Sequence, residues 1–180
     1  MPDIYQPADD SYLLLSVLEK IIPSILHKRK NLKFLEIGAG SGVQLQKLLQ
    51  IGIKKENIFS CDINKDAVEH CKSLGFNSIH SDLFSNIKGK FDIIIFNPPY
   101  LPEDIREPLN SKISTTGGKK GGEIINKFLR QAKKHISEKG RIIMLTSSLT
   151  KGLNFEGYKT KIIAEKPLFF EKLYILELSL

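Results

Sequence analysis

The chain of 180 residues contains no tryptophan, only two cysteines and two methionines, and no apolar run as long as a membrane-spanning helix. Cys61 and Cys71 stand ten residues apart, with no Cys-x-x-Cys pair and no histidine cluster beside them. That pattern favours neither a disulfide nor a thiolate metal site, so both are expected as reduced, half-buried thiols, with no bound metal. The N-terminus carries Asp3, Asp9 and Asp10 and has no basic segment followed by an apolar one, so a secretory leader is not expected and the cytosol is the expected location. His27, His70, His80 and His135 are scattered singly and read as packed or surface residues rather than bases. No internal repeat or linker composition divides the chain, and residues 1–180 are expected to form one domain.

Positive charge is abundant. Lys and Arg outnumber Asp and Glu 27 to 20, a net charge of +7. Such a balance is compatible with RNA, a ribosome-associated factor or an acidic partner, and selects none of them; solvated Lys on helix faces is the more ordinary explanation. Arg106, Lys119 and Lys120 can guide a substrate backbone or simply be solvated loop charge.

The hydrophobic pattern alternates between two periods. Leu13, Leu14, Val17, Leu18, Ile21, Ile22, Ile25 and Leu26 recur at helical spacing from Asp10 to about Lys28, with Asp9, Asp10 or Ser11 as the cap and a bend or break at Pro23. A strand over 33–37 leads into Gly38-Ala39-Gly40-Ser41-Gly42 and a helix containing Val43, Leu45, Leu48 and Leu49. A strand over 57–61 ends at Asp62, a helix covers about 65–74, and a strand over 77–80 ends at Ser81-Asp82-Leu83. The apolar run 91–96 stops at Asn97-Pro98-Pro99-Tyr100. Residues 101–122 are poor in apolar side chains and form a long connection, either functional or disordered. Helical spacing returns from Ile124 to Ile136, a strand follows over 141–145, and two more are expected over 159–164 and 173–178, separated at Pro167. This order predicts an α/β fold with a mostly parallel seven-stranded sheet, helices on both faces and an antiparallel edge.

The chemistry gathers at strand ends, where open α/β sheets bind ligands. In Asn97-Pro98-Pro99-Tyr100 the Asn side-chain oxygen and the carbonyl between two rigid prolines are paired acceptors for the two hydrogens of a planar NH2 group, with the Tyr ring against its face. An ordinary proline-terminated turn is the bland alternative. The glycines at 38, 40 and 42 make a turn more compact than the dinucleotide pattern, and Glu36 at the strand end would repel a phosphate. S-adenosylmethionine, with an amino group and a sulfonium, suits that carboxylate. Asp62, about twenty residues on, sits where an acid accepts ribose hydroxyls, and Asp82-Leu83 can receive the adenine amine and cover its ring. Each acid alone reads as a capping or turn Asp; three at successive strand ends beside a glycine turn favour this cofactor.

These residues resemble the motifs of the HemK/PrmC group of amino-group methyltransferases. Tyr5-Gln6-Pro7-Ala8-Asp9-Asp10-Ser11 resembles the N-terminal segment of the eukaryotic and archaeal branch. Gly117-Gly118-Lys119-Lys120-Gly121-Gly122 resembles its Gly-Gly-x-x-Gly helix opening, and Phe169-Phe170-Glu171 also matches that branch. The resemblance implies a Rossmann-like class I S-adenosylmethionine-dependent methyltransferase that methylates the glutamine amide in the Gly-Gly-Gln loop of a class I translation release factor. It implies Asn97, Pro98, Pro99 and Tyr100 as catalytic and Ser11, Glu36, Gly38, Gly40, Asp62, Asp82, Leu83 and Asn97 as cofactor-binding. It further implies a small zinc-binding activating subunit as partner. The same tetrapeptide holds any planar NH2, so an RNA or DNA exocyclic-amine methyltransferase and a protein lysine methyltransferase stay open. A scaffold that binds the cofactor without catalysis would show an eroded acceptor motif, and Asn97 to Tyr100 is intact.

Overall fold

The computed structural model describes residues 4–180, the side chains at 109–111 excepted; Asp3 lies outside the described residues. Among them, strands β1 (Phe34–Ile37), β2 (Ile58–Asp62), β3 (Asn77–His80), β4 (Phe91–Phe96), β5 (Ile136–Ser147), β6 (Lys159–Pro167) and β7 (Lys172–Ser179) form a sheet in the order β3-β2-β1-β4-β5-β7-β6. The pairs from β3 through β5 are parallel, and β7 runs antiparallel between β5 and β6. The expected antiparallel pair is therefore present, with β7 the reversed strand and β6 outermost.

Every residue of β1 is buried, and β4 is buried except at Asp92. Alternation sends Phe34, Ile93, Ile95, Ile143 and Leu145 to one face of the sheet and Leu35, Ile37, Ile94, Phe96, Ile142 and Met144 to the other. The first face packs against α1 (Asp9–Lys28) and α2 (Val43–Gln50), with Cys71 of α3 (Lys65–Ser73) joining it; the second packs against α5 (Glu123–Ala132). Leu14, Leu18 and Ile22 of α1 and Phe128 of α5 are fully buried in these contacts. Removing a side chain as large as Phe128 would cost about 3–5 kcal/mol.

Four expectations need correction. The expected alternative of a break at Pro23 does not occur: helix α1 continues through it, because the carbonyl that loses its partner belongs to Glu19 on the same exposed face, where water can replace the bond. Its N-cap is Ala8 rather than Asp9, Asp10 or Ser11, and Asp9 and Asp10 occupy the first turn. Ile136 belongs to β5, not to the preceding helix: it follows Ala132 at helical spacing, but it pairs with Phe91, whose N–H is held by the His135 carbonyl at 2.8 Å. The register between β4 and β5 shifts between Ile136 and Arg141, and Gly140 lies within that shift, where a Cβ would come 2.7 Å from Ile136 and 3.0 Å from the Phe91 carbonyl. The connection 101–122 contains a further helix, α4 (Leu109–Thr115), which its sparse apolar pattern does not announce. No helix among the described residues is long and apolar enough to cross a membrane.

Candidate active site

The chain leaves β1 toward β2 on one side and returns through β4 on the other, so β1 and β4 flank the point where the strand order reverses. Ile37 and Phe96 are register partners, and Gly38 and Asn97 therefore emerge side by side. A cavity of about 1020 Å³ opens here. It brings together most of the sequence-predicted residues: Ser11, Gly38 and Gly40, Asp62, Asp82 and Leu83, and Asn97 with both prolines.

Residues 38–42 fold back onto the end of β2. The Gly38 and Ala39 N–H groups donate to the Cys61 carbonyl at 2.8 and 3.2 Å, and the Gly40 N–H donates to Asp62 Oδ2 at 2.9 Å. Gly42 caps α2 with φ of 72°, and a Cβ there would come within 3.2 Å of Cys71 Sγ. The left-handed backbone is what favours glycine here; the contact with Cys71 only adds crowding. Asp62 also accepts the Asn64 N–H at 2.8 Å; burial pushes its carboxyl upward while the N–H groups of Asn64 and Gly40 pull the other way. Both cysteines are fully buried, more deeply than expected, and burial raises each thiol to about 12.

Asp82 is about half exposed and paired with Lys127 at 2.5 Å, with both side chains bordering the cavity. Leu83 is buried at φ of 51°, unusual for a branched residue, and its carbonyl accepts the Ser81 hydroxyl at 2.8 Å.

Two predicted residues do not border the cavity. The alternation of β1 turns Glu36 onto the same face as Phe34, behind the glycine turn; it is 1% exposed, its Oε2 has no partner, and burial and then Asp62 hold its carboxyl well above the usual carboxylate range. Its expected contact from the strand end is thus displaced to the wall behind the turn. The Tyr100 ring packs against both core clusters, and burial followed by the charge of Asp10 raises its phenol. Its carbonyl accepts the Thr150 hydroxyl at 2.9 Å.

Asn97 is held from an unexpected direction. Its Nδ2 donates to Asp10 Oδ2 at 3.1 Å, and the same oxygen accepts the Tyr5 hydroxyl at 2.9 Å. Asp10 Oδ1 accepts the Ser11 N–H at 2.5 Å and the Ser11 hydroxyl at 3.2 Å. Asp10 is 5% exposed and borders the cavity with Tyr5. A carboxylate only accepts, so the amide nitrogen of Asn97 must face it. Asn97 Oδ1 is left buried without a partner, a state that costs about 1–3 kcal/mol until a donor arrives. Tyr5 and Asp10 were not among the expected site residues, although both lie in the N-terminal segment whose pattern stands out; nothing in the spacing alone joins Asp10 to a residue 87 positions away.

The loop after Tyr100 closes against this site. The Leu101 N–H donates to the Thr115 carbonyl and the Gly117 N–H to the Leu101 carbonyl, both at 2.9 Å. A Cβ on Gly117 would lie 2.6 Å from the Pro99 carbonyl, so the glycine-rich segment presses on the backbone of the prolines. Arg106 is engaged by Asp104 at 2.8 Å on the exposed side of this loop.

The residues fit S-adenosylmethionine. The cavity is lined from the ends of β1, β2, β3 and β4, with glycine backbone beside the buried acid Asp62, an apolar wall at Leu83, and an unmatched acceptor at Asn97.

A model of the family described as "Methyltransferase small domain" matches residues 9–155. A Methanocaldococcus jannaschii protein bearing the name protein N5-glutamine methyltransferase is 36% identical, over 97% of this chain and 91% of its own length. The catalytic subunit of the eRF1 methyltransferase of Schizosaccharomyces pombe is 32% identical over 83% of this chain and 74% of its own. Among solved structures, the E. cuniculi Mtq2–Trm112 complex, responsible for methylating the translation termination factor eRF1, superposes with a TM-score of 0.73 at 26% identity, covering 97% of this chain and 96% of that one.

Proposed function

The chain belongs to the methyltransferase small domain family and is an S-adenosylmethionine-dependent methyltransferase; from that premise we propose that it N-methylates the side-chain amide of a glutamine in a class I translation release factor, in the cytosol. The observation that carries this reading is the Asn97 amide, locked with its nitrogen on Asp10 and its oxygen unpartnered beside the glycine turn. A planar NH2 group is the ligand that such an acceptor completes. The identity to a protein named as an N5-glutamine methyltransferase supports an amide as the source of that NH2.

Asp62 would receive the ribose hydroxyls, the Asp82–Leu83 turn the adenine, and Ser11 with the glycine turn the amino-acid end of the cofactor. When bound, S-adenosylmethionine supplies an electrophilic methyl group on a sulfonium. Residues of this chain position the nucleophile. An amide nitrogen is weakly nucleophilic because its lone pair is delocalised into the carbonyl. Hydrogen bonds from its two N–H groups to Asn97 Oδ1 and the Pro98 carbonyl fix the nitrogen and shift electron density onto it. Once the nitrogen carries the methyl group its remaining protons are strongly acidic, and the surplus one passes to solvent by way of these acceptors, neither carbonyl retaining it. No side chain among the proposed contacts need act as a strong base, so positioning carries the catalysis. The likeness to a catalytic subunit solved with a partner supports a small activating subunit for this chain as well, and a zinc site within that subunit belongs to the same proposal.

The test is transfer of labelled methyl from the cofactor to a purified release factor, with and without the candidate small subunit, followed by mass spectrometry of the labelled peptide. Label is expected on the glutamine of the Gly-Gly-Gln loop and absent when that residue is alanine. Asn97→Ala is expected to lower turnover about a hundredfold, roughly 2.7 kcal/mol of transition-state stabilisation, with the cofactor still bound. Label confined to RNA or to a lysine would overturn the reading.

A further inference from the structure

We propose that Asp10 is the positioning residue that decides which end of the Asn97 amide meets the acceptor, an inference that rests on the function proposed above. An asparagine amide presents nearly the same shape either way round, and only its hydrogen bonds choose the orientation. At Asn97 the choice is chemical. With Oδ1 toward the site the side chain accepts an N–H of the substrate; with Nδ2 toward the site it would set donor against donor and repel it.

The geometry makes the choice strict. Asp10 Oδ1 is committed to the Ser11 N–H and hydroxyl, so its Oδ2 is the oxygen that meets Asn97. The Tyr5 hydroxyl donates to the same Oδ2 and holds the carboxylate from the other side. Four donors thus converge on one buried carboxylate, and every one of them needs an acceptor there. Replacing Asp10 by its isostere shows what the charge does. In Asp10→Asn the side-chain oxygen stays on the Ser11 N–H, which puts an NH2 group where Oδ2 was. Asn97 would then turn its own oxygen toward residue 10 and its nitrogen toward the site. The shape is kept and the acceptor is lost.

A reciprocal exchange tests this. Asp10→Asn is expected to lower kcat about a hundredfold, with KM for the release factor and Kd for S-adenosylmethionine within about threefold of wild type. Adding Asn97→Asp restores the donor–acceptor order, because the residue-10 amide can donate to the new carboxylate and leave its second oxygen facing the site. The double variant is expected to exceed Asp10→Asn in kcat by about tenfold or more. A double variant no faster than Asp10→Asn would overturn the proposal. So would a rise in the cofactor Kd that accounts for the lost rate, since Asp10 would then serve the cofactor instead. A second measurement needs no acceptor: the ¹H–¹⁵N signals of the Asn97 side-chain NH2 should show one proton protected from water exchange in wild type and lose that protection in Asp10→Asn. Unchanged Asn97 signals would overturn the assignment of Asp10, whereas failure of the wild-type enzyme to label any release factor would overturn the function and leave this assignment standing.

Discussion

The Gly40 N–H donates to Asp62 Oδ2 at 2.9 Å, so the second glycine of the turn is held by the acid that ends the neighbouring strand. Asp62 spends its other oxygen on the Asn64 N–H at the start of α3. One carboxylate therefore joins the glycine turn to α3 and still has lone pairs for a ligand.

Asp62→Ala is expected to weaken cofactor binding about 10- to 100-fold, some 1.4–2.7 kcal/mol, through loss of both the ribose acceptor and the anchored turn. Asp62→Asn should also weaken it, because an amide facing both Gly40 and Asn64 must set its NH2 against one of two backbone donors. Isothermal titration calorimetry with S-adenosylmethionine gives the Kd; wild-type affinity in both variants would refute the role of Asp62.

Glu36 gives a prediction about pH. Its carboxyl is held well above the ordinary 4.5 by burial, so between 4.5 and its folded value the native chain binds the proton that the unfolded chain releases. Stability from this group is then greatest at low pH and declines as pH rises through that window, the reverse of a paired surface carboxylate. Glu36→Gln removes the titration at nearly constant volume. The melting temperature of the variant relative to wild type should therefore rise between pH 5 and pH 8, and parallel curves over that range would refute the prediction.

The placement of the glycine turn, Asp62, Asp82 and Asn97 was legible in the sequence because strand and helix periods fix where each strand stops, and a stop in a parallel sheet is a place on one edge. Glu36 follows the same rule differently: it lies inside its strand rather than after it, so the two-residue alternation turns it behind the turn and out of the cavity lining. Ile136 was misread because helical spacing and strand pairing compete for it, and only Phe91 on another strand decides. Asp10 was visible as an acid in a distinctive segment, but its partner Asn97 is set by tertiary packing of α1 against the sheet, which no local pattern encodes.

Gly117 carries a steric prediction. A Cβ there would lie 2.1 Å from the Gly121 carbonyl and 2.6 Å from the Pro99 carbonyl, two backbone atoms that cannot swing aside. Gly117→Ala is expected to destabilise the fold by about 1–3 kcal/mol and to lower kcat by displacing the prolines, with the cofactor Kd little changed. Gly52→Ala is the control: open space surrounds its Cβ, so only the left-handed backbone at φ of 102° is strained, costing about 1–2 kcal/mol without loss of turnover. Chemical denaturation and steady-state kinetics on both variants make the comparison; equal kinetics in the two would show that the glycine-rich segment does not set the active-site backbone.

Cys71 offers a reporter of the cofactor site. Its thiol is fully buried, raised to about 12, and donates to the Gly40 carbonyl at 3.7 Å. At pH 8 a thiol of that pKa is ionised to about one part in ten thousand, and only the thiolate reacts with a disulfide reagent. Reaction in the native protein must then wait for the glycine turn and α3 to part. Labelling of Cys71 in a Cys61→Ala background should be slow, should accelerate in Asp62→Ala, where the turn has lost its anchor, and should slow further as S-adenosylmethionine is added. A rate indifferent to the cofactor would mean that Cys71 is exposed by an opening that leaves the turn in place, and would separate the two motions.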